Sequence, residues 1–219
     1  MTQPKLSGPD QMPQSGKKPK QIVILLHGLG ANGDDLFGLV PYFSSILPDA
    51  YFVSPNAPYK CDMAPFGYQW FSLLDRSEEN ILNGIKEVTP TLNQFIDEKI
   101  AEFGLQEKDV ALIGFSQGTM LSLYSAPRRE KPLAGVLGYS GALVAPHLLK
   151  NEIKSKPEVC LVHGEADEIV PFQAFGDAMT ALQKSGVTVH GYSREDLGHG
   201  IDPEGMKIGQ KFLKDVFGG

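Results

Sequence analysis

From residue 21 onward, short unbroken apolar runs alternate with helix-length amphipathic stretches, and this alternation narrows the fold more than any other feature of the chain. Ile22-Val23-Ile24-Leu25-Leu26 is apolar at every position. A strand with one wet face alternates apolar and polar residues. A strand apolar throughout is covered on both faces, as in a parallel sheet between two helical layers. Comparable runs recur at 50–53, 110–115, 133–139, 159–162 and 187–192. Between them, 35–47, 78–103, 117–126, 171–184 and 203–216 read as helices. The longest places Leu82, Ile85, Val88, Leu92, Phe95, Ile96, Ile100 and Phe103 three or four apart, an amphipathic stripe, with Pro90 expected to kink or split it. Strand–helix alternation with short connections predicts an α/β chain with a mostly parallel, doubly wound sheet flanked by helices. Ligands of such sheets bind beyond the carboxyl ends of the strands, so the loops after the strands are where chemistry is sought.

The 219 residues suit one domain. Residues 1–18 read as a polar tail or loose hairpin and 19–219 as the domain, with Lys17, Lys18 and Lys20 a solvated basic cluster. A net charge of −6 argues against nucleic acid as a partner. The longest apolar run, 22–26, is too short to span a bilayer, and no secretory leader is expected. Cys61 and Cys160 make no disulfide framework, which favours a reducing, cytoplasmic compartment.

Gly114-Phe115-Ser116-Gln117-Gly118 matches G-x-S-x-G, and its context decides its meaning. A buried-strand run precedes it and a helix-like run follows. Strand, turn and helix with serine at the apex is a nucleophile elbow, which lifts the hydroxyl out and aims backbone N–H groups at the same point. Gly138-Tyr139-Ser140-Gly141 also follows an apolar run but lacks the second glycine at the right offset, so Ser140 reads as a turn residue.

A serine nucleophile needs a base, and in this fold class the chain order is serine, acid, histidine. His199, in Leu197-Gly198-His199-Gly200 between the last strand and the last helix, meets that order. His27, His147 and His163 do not, and His190 lies within a strand. Asp167, four or five residues past the 159–162 run, is the acid expected to fix the imidazole tautomer, with Glu165, Glu168 and Asp196 as rivals. The oxyanion hole calls for the backbone N–H of Gln117 and one from the loop His27-Gly28-Leu29-Gly30, where Leu29 is the donor expected. Gly28-x-Gly30-x-x-Gly33 also fits a dinucleotide loop, but no acidic residue ends the next strand; Val53-Ser54-Pro55-Asn56 stands there.

Together, Leu26-His27-Gly28-Leu29-Gly30, Gly114-Phe115-Ser116-Gln117-Gly118, His163 through Pro171 and Gly198-His199 resemble the phospholipase/carboxylesterase family of α/β-hydrolases, over about residues 20 to 217. The resemblance implies Ser116, Asp167 and His199 as a triad, Leu29 and Gln117 as oxyanion donors, and hydrolysis of esters or thioesters with neither cofactor nor metal. Tyr68-Gln69-Trp70-Phe71 resembles the family's aromatic segment beside the site, and Ser72-Leu73-Leu74-Asp75 follows as in its bacterial carboxylesterase branch.

The stretch 63–74 is apolar without a helix or strand period. Met63, Phe66, Trp70, Phe71, Leu73 and Leu74 are candidates to bind an acyl chain; the alternative is that they pack as core beneath a long loop. No lid-sized insertion is present, so an open site is expected. The leading function is a serine hydrolase of carboxylic esters of short to medium acyl chains, acting through an acyl-enzyme on Ser116, with thioesters and lysophospholipids as further candidate substrates. A small serine peptidase, a dienelactone hydrolase-type enzyme and a non-catalytic hydrolase-fold binding protein are the alternatives. The natural acyl group and a homodimer are left open.

Overall fold

The computed structural model describes residues 4–218. In chain order the elements are β1 (Asp10–Gln11), β2 (Gln21–Leu26), α1 (Gly33–Phe37), α2 (Val40–Ser44), β3 (Ala50–Val53), β4 (Tyr59–Lys60), β5 (Tyr68–Gln69), α3 (Glu78–Phe103), β6 (Val110–Phe115), α4 (Gln117–Ser125), β7 (Gly135–Tyr139), α5 (Pro146–Glu152), β8 (Glu158–Gly164), α6 (Gln173–Lys184), β9 (Val189–Arg194) and α7 (Pro203–Val216). Seven strands form one sheet in the order β1-β3-β2-β6-β7-β8-β9, parallel except where β1 meets β3.

The unbroken apolar runs feed two cores, one on each face. Ile22, Ile24 and Leu26 of β2 and Val110 and Leu112 of β6 face α3, α4, α5 and α6. Val23 and Leu25, with Ala111 and Ile113, face α1, α2 and α7. This is the period-2 alternation of a pleated strand with both sides apolar. After β3 the chain crosses from one side of β2 to the other to begin β6. The carboxyl ends of β2 and β6 therefore flank a topological switch point, the usual place for a ligand crevice in an open α/β sheet.

Several expectations are corrected. The 35–47 helix is two five-residue helices, because Pro41 has no N–H to offer and its ring opposes the preceding turn. Pro90 does not split α3, which runs unbroken for 26 residues. Pro90 and Lys86, whose carbonyl lacks its usual partner, are both exposed, so water can serve that carbonyl. β9 is an edge strand with His190 exposed, not a covered one. The helix α5 and the β4–β5 hairpin were not anticipated.

The N-terminal segment is not loose; residues 1–3 lie outside the described residues. β1 pairs with β3, the Ser54 N–H donates to the Pro9 carbonyl at 3.0 Å, and the Asn56 N–H to the Ser7 carbonyl at 2.9 Å. Leu6 is buried in the α3-side core. A polar composition hid a segment held by its backbone and one leucine. Leu6→Ala is expected to lower the unfolding free energy by roughly 2–5 kcal/mol, read as a lower urea midpoint at unchanged slope. An unmoved midpoint would restore the reading of a loose tail.

Candidate active site

Ser116 stands between β6 and α4 with φ 53° and ψ −114°. For a residue with a Cβ this is a sparsely populated conformation, costing on the order of 1–3 kcal/mol. Its N–H donates to the Tyr139 carbonyl at 2.9 Å and its carbonyl accepts from the Met120 N–H at 3.1 Å, which hold the turn. Gln117 opens α4, so its N–H has no carbonyl one turn back and points from the positive end of the helix.

His199 and Asp167 arrive from the loops after β9 and β8. Nδ1 of His199 lies 2.8 Å from Oδ2 of Asp167. A carboxylate only accepts, so Nδ1 carries a proton, and in the neutral ring Nε2 is the nitrogen left with a lone pair. The other carboxylate oxygen, Oδ1, accepts from the N–H groups of Ile169 and Val170, each at 2.9 Å. The Asp167 side chain is fully buried. Burial alone would raise its pKa, but the hydrogen bonds from His199, Val170 and Ile169 and the neighbouring imidazole outweigh it and hold the carboxyl below its ordinary value. The rivals are placed elsewhere: Glu165, Glu168 and Asp196 are exposed, and Asp196 sits in the left-handed region at φ 56°.

The acid and histidine loops are laced together. The Glu165 N–H donates to the Arg194 carbonyl at 2.9 Å and the Ala166 N–H to the Leu197 carbonyl at 3.0 Å. Arg194 then spans the histidine loop to Asp202, with Nε at 3.0 Å and Nη2 at 2.9 Å from Oδ2. Asp202 Oδ1 also caps α7 through the Gly205 N–H at 2.7 Å. The Phe115 ring lies 4.9 Å from the His199 ring, joining the histidine to the residue before Ser116. Ser140, buried and at φ 46°, puts its hydroxyl 3.4 Å from the Gly200 carbonyl, a turn residue beside the loop.

On the other side, the segment 59–71 braces the loop after β2. The Gly30 N–H donates to the Tyr68 carbonyl at 2.9 Å, and the Tyr68 N–H to the Ala31 carbonyl at 2.8 Å. Gly67, at φ 79°, passes so close that a Cβ there would stand 2.0 Å from the Gly30 carbonyl oxygen. The neighbours of Leu29 are thus committed, Gly30 to Tyr68 and Ala31 to Gly28, while the Leu29 N–H makes no such bond among the described residues.

Trp70 belongs to the core, at 0% exposed; Phe71, 2% exposed, packs in the same core and also borders a surface hollow lined by Tyr59 and Leu74. The Trp70 Nε1–H donates to the His27 carbonyl at 2.9 Å, and its backbone N–H to Oε1 of Gln117 at 2.9 Å. Gln117 Nε2 donates to the Phe71 carbonyl at 2.7 Å. Trp70, so enclosed, cannot meet an acyl chain in an open groove. Met63, Phe66 and Leu74 are exposed, and Leu73 is half-buried. Met63 and Phe66 stand at the tip of the braced hairpin.

Sequence reasoning missed three supporting side chains, because each works on backbone atoms far off in the chain or on a residue whose own role was the one sought. The Gln117 amide bridges 46 and 47 residues to the 70–71 backbone. His27 donates from Nδ1 to the Gly28 carbonyl at 2.7 Å and accepts the Ala57 N–H at Nε2 at 3.0 Å. That pairing needs the neutral ring, and burial also lowers its pKa. His163 donates from Nε2 to the Val170 carbonyl at 2.9 Å and lies 3.4 Å from Asp167 Oδ2. Among the described residues no group of three or more His, Cys, Asp or Glu is arranged to hold a metal, and no helix is long and apolar enough to cross a membrane.

Comparison with known proteins adds three findings. A family model described as phospholipase/carboxylesterase matches residues 10–217. Esterase YpfH of Escherichia coli is 29% identical over 92% of this chain and 85% of its own length, and acyl-protein thioesterase 1 of Emericella nidulans 30% identical over 91% and 92%. Among solved structures, esterase PE8 superposes with a TM-score of 0.93 at 39% identity, covering 97% of this chain and 99% of that one. SOBER1 of Arabidopsis thaliana gives 0.77 at 27% identity over 90% and 99%. The mostly parallel sheet is that of the α/β-hydrolase fold.

A carboxyl whose folded pKa is depressed stabilises the protein above its unfolded value, about 3.9 for aspartate, and that contribution is lost as pH falls through the folded value. Asp167→Asn is therefore expected to be less stable than the parent at neutral pH, with the gap closing below about pH 4. Urea midpoints at pH 7, 5 and 3.5 check this; a gap constant over that range would contradict the assignment.

Proposed function

This chain belongs to the phospholipase/carboxylesterase family and is a carboxylesterase- or thioesterase-type hydrolase, and from that premise we propose that it cleaves short to medium acyl esters, and thioesters of the same acyl groups, through an acyl-enzyme on Ser116. The observation that carries this reading is the pair of buried Asp167 and His199 at 2.8 Å, with the imidazole ring against the residue before Ser116.

In the proposed reaction His199 Nε2 takes the Ser116 proton as Oγ adds to the carbonyl carbon. The oxyanion accepts from the Gln117 and Leu29 N–H groups, donors fixed before reaction and needing no reorganisation. The tetrahedral adduct collapses as His199 returns the proton to the leaving alcohol or thiol. Water, deprotonated by the same nitrogen, then releases the acid. Asp167 fixes the tautomer and stabilises the imidazolium without taking the proton. The acyl chain runs along the hairpin side, where Met63, Phe66, Leu73 and Leu74 offer apolar surface. Trp70 and Phe71 act through the scaffold. Both cysteines are free, and burial pushes the Cys160 thiol up to about 12, consistent with work in a reducing, cytoplasmic compartment.

A panel of p-nitrophenyl esters and acyl-CoA thioesters tests this reading. Ser116→Ala is expected to lower kcat by on the order of 10⁴–10⁶, and Asp167→Asn by roughly 10⁴. On the wild type, kcat/KM is expected to rise over the first few acyl carbons and then level off, since a half-open surface buries only part of a longer chain. Full activity in Ser116→Ala would remove the proposal.

A further inference from the structure

A second apolar surface adjoins Ser116 between the loop after β2, Phe115 and the loop after β9. Gly28, Ala31, Leu36, Leu39, Phe115 and Ile201 enclose about 290 Å³, with His27 and Asp35 completing the wall. Its position relative to the reacting atoms is fixed by three contacts. A Cβ built on Gly28 would lie 3.3 Å from the Ser116 Cβ and 3.2 Å from the Phe115 ring, so the pocket borders the nucleophile. The Phe115 ring lies 4.9 Å from the His199 ring. Ile201 is two residues beyond His199 on the same loop. The pocket therefore shares Phe115 and the 199–201 loop with the imidazole, while its far walls, His27 and Ala31, are held by Trp70 and Tyr68 of the 68–71 segment.

We propose that this pocket binds the alcohol portion of the substrate, and that it selects compact, uncharged apolar leaving groups of one ring or about six carbons. The proposal rests on the acyl-enzyme reading above and deepens it. In the collapse of the tetrahedral adduct the Ser116 Oγ–carbon bond is kept and the bond from carbon to the leaving oxygen breaks. Its electron pair goes to that oxygen, which takes the proton held on His199 Nε2. The leaving oxygen must therefore lie on the His199 side, and whatever it carries extends into the space framed by Phe115 and Ile201. The acyl chain, on the opposite bond of the same carbon, extends toward the hairpin.

Size and charge set the class. The hollow of about 290 Å³ is open to solvent; set against the roughly 150 Å³ that holds benzene in an enclosed apolar cavity, it takes a ring with room for a linking carbon. The one ionised group on the wall, Asp35, already accepts from the Asn32 N–H at 2.9 Å and places negative charge at the pocket, which disfavours an anionic leaving group. Ala31, Leu36, Leu39, Phe115 and Ile201 offer no hydrogen-bonding side chain, so apart from the exposed Asp35 carboxylate a polar alcohol finds no partner on this wall to replace its water.

The test varies the alcohol at fixed acyl group, and then the acyl group at fixed alcohol. With methyl, butyl, hexyl and benzyl butyrates, kcat/KM of the wild type is expected to rise about three- to four-fold for each methylene buried. Hexyl esters, five methylenes longer than methyl, should stand on the order of 10²- to 10³-fold above methyl where all five are buried, with benzyl esters shifted in the same direction. Leu39→Trp and Ile201→Phe, which fill the pocket from two walls, are expected to cut the hexyl-to-methyl ratio at least ten-fold. The octanoate-to-acetate ratio of methyl esters should stay as in the wild type. A flat alcohol series in the wild type would overturn the proposal, and so would variants that change the acyl ratio instead. Binding of benzyl alcohol to Ser116→Ala by calorimetry adds an arm free of turnover. If benzyl alcohol binds and Leu39→Trp removes it while no ester is hydrolysed, the pocket stands and the acyl-enzyme reading falls. If esters are hydrolysed but benzyl alcohol neither binds nor competes, the pocket falls and the acyl-enzyme reading stands.

Discussion

At the start of α4 the backbone of residue 118 lies so close to β2 that a Cβ there would stand 1.8 Å from the Leu26 carbonyl oxygen. No side chain fits, and only glycine lets the helix begin there. Because α4 starts against the carboxyl end of β2, the chain has a single residue in which to turn from β6 into the helix. That residue is Ser116, and its strained backbone is the consequence. The same closeness brings the first N–H of α4 beside the loop after β2. The proposed nucleophile and both backbone donors of the proposed oxyanion hole thus descend from one packing contact between a glycine and a carbonyl.

Gln117 couples the two sides of the site. Its backbone supplies a donor at the helix start, and its amide holds the 70–71 backbone. That segment continues into Tyr68, which pins the loop carrying Leu29 through Ala31 and Gly30. The buried Trp70 closes the circuit through the His27 carbonyl. Rigidity here comes from buried hydrogen bonds with both partners satisfied, which cost far more to break than they contribute when formed. The histidine side is built differently, from two loops joined by backbone bonds and stapled by Arg194 and Asp202.

The doubly wound sheet could be read from the sequence because burial of both faces leaves a direct trace, an unbroken apolar run, in β2, β3 and β6. The strand–glycine–serine–glycine–helix order marked the elbow for the same reason: its glycines are demanded by close approach. The pairing of His199 with Asp167 was expected from chain order together with their places in the loops after two strands, with Glu165, Glu168 and Asp196 as rivals, and the structure has the two side chains 2.8 Å apart. Burial of Trp70 was not legible, since an aromatic residue in an aperiodic apolar stretch looks the same whether it lines a groove or fills a core. Its fate depends on partners 43 and 47 residues away. The N-terminal strand was hidden because backbone pairing to β3 asks little of side chains. β9 was misjudged because its few apolar residues could not show that the sheet ends there. The pocket beside Phe115 was invisible for a further reason: it forms only where the stretch 27–39, the end of β6 and the loop after β9 meet.

The central claim is that one activated serine, Ser116, does the chemistry with His199 as its base. Peptide mapping after treatment with a fluorophosphonate tests it most directly, because the reagent forms a stable adduct only where a serine hydroxyl is activated. A single adduct on Ser116, formed rapidly in the parent protein and lost in His199→Ala, is the predicted result. An adduct on Ser140, or one on Ser116 formed undiminished without His199, would contradict it.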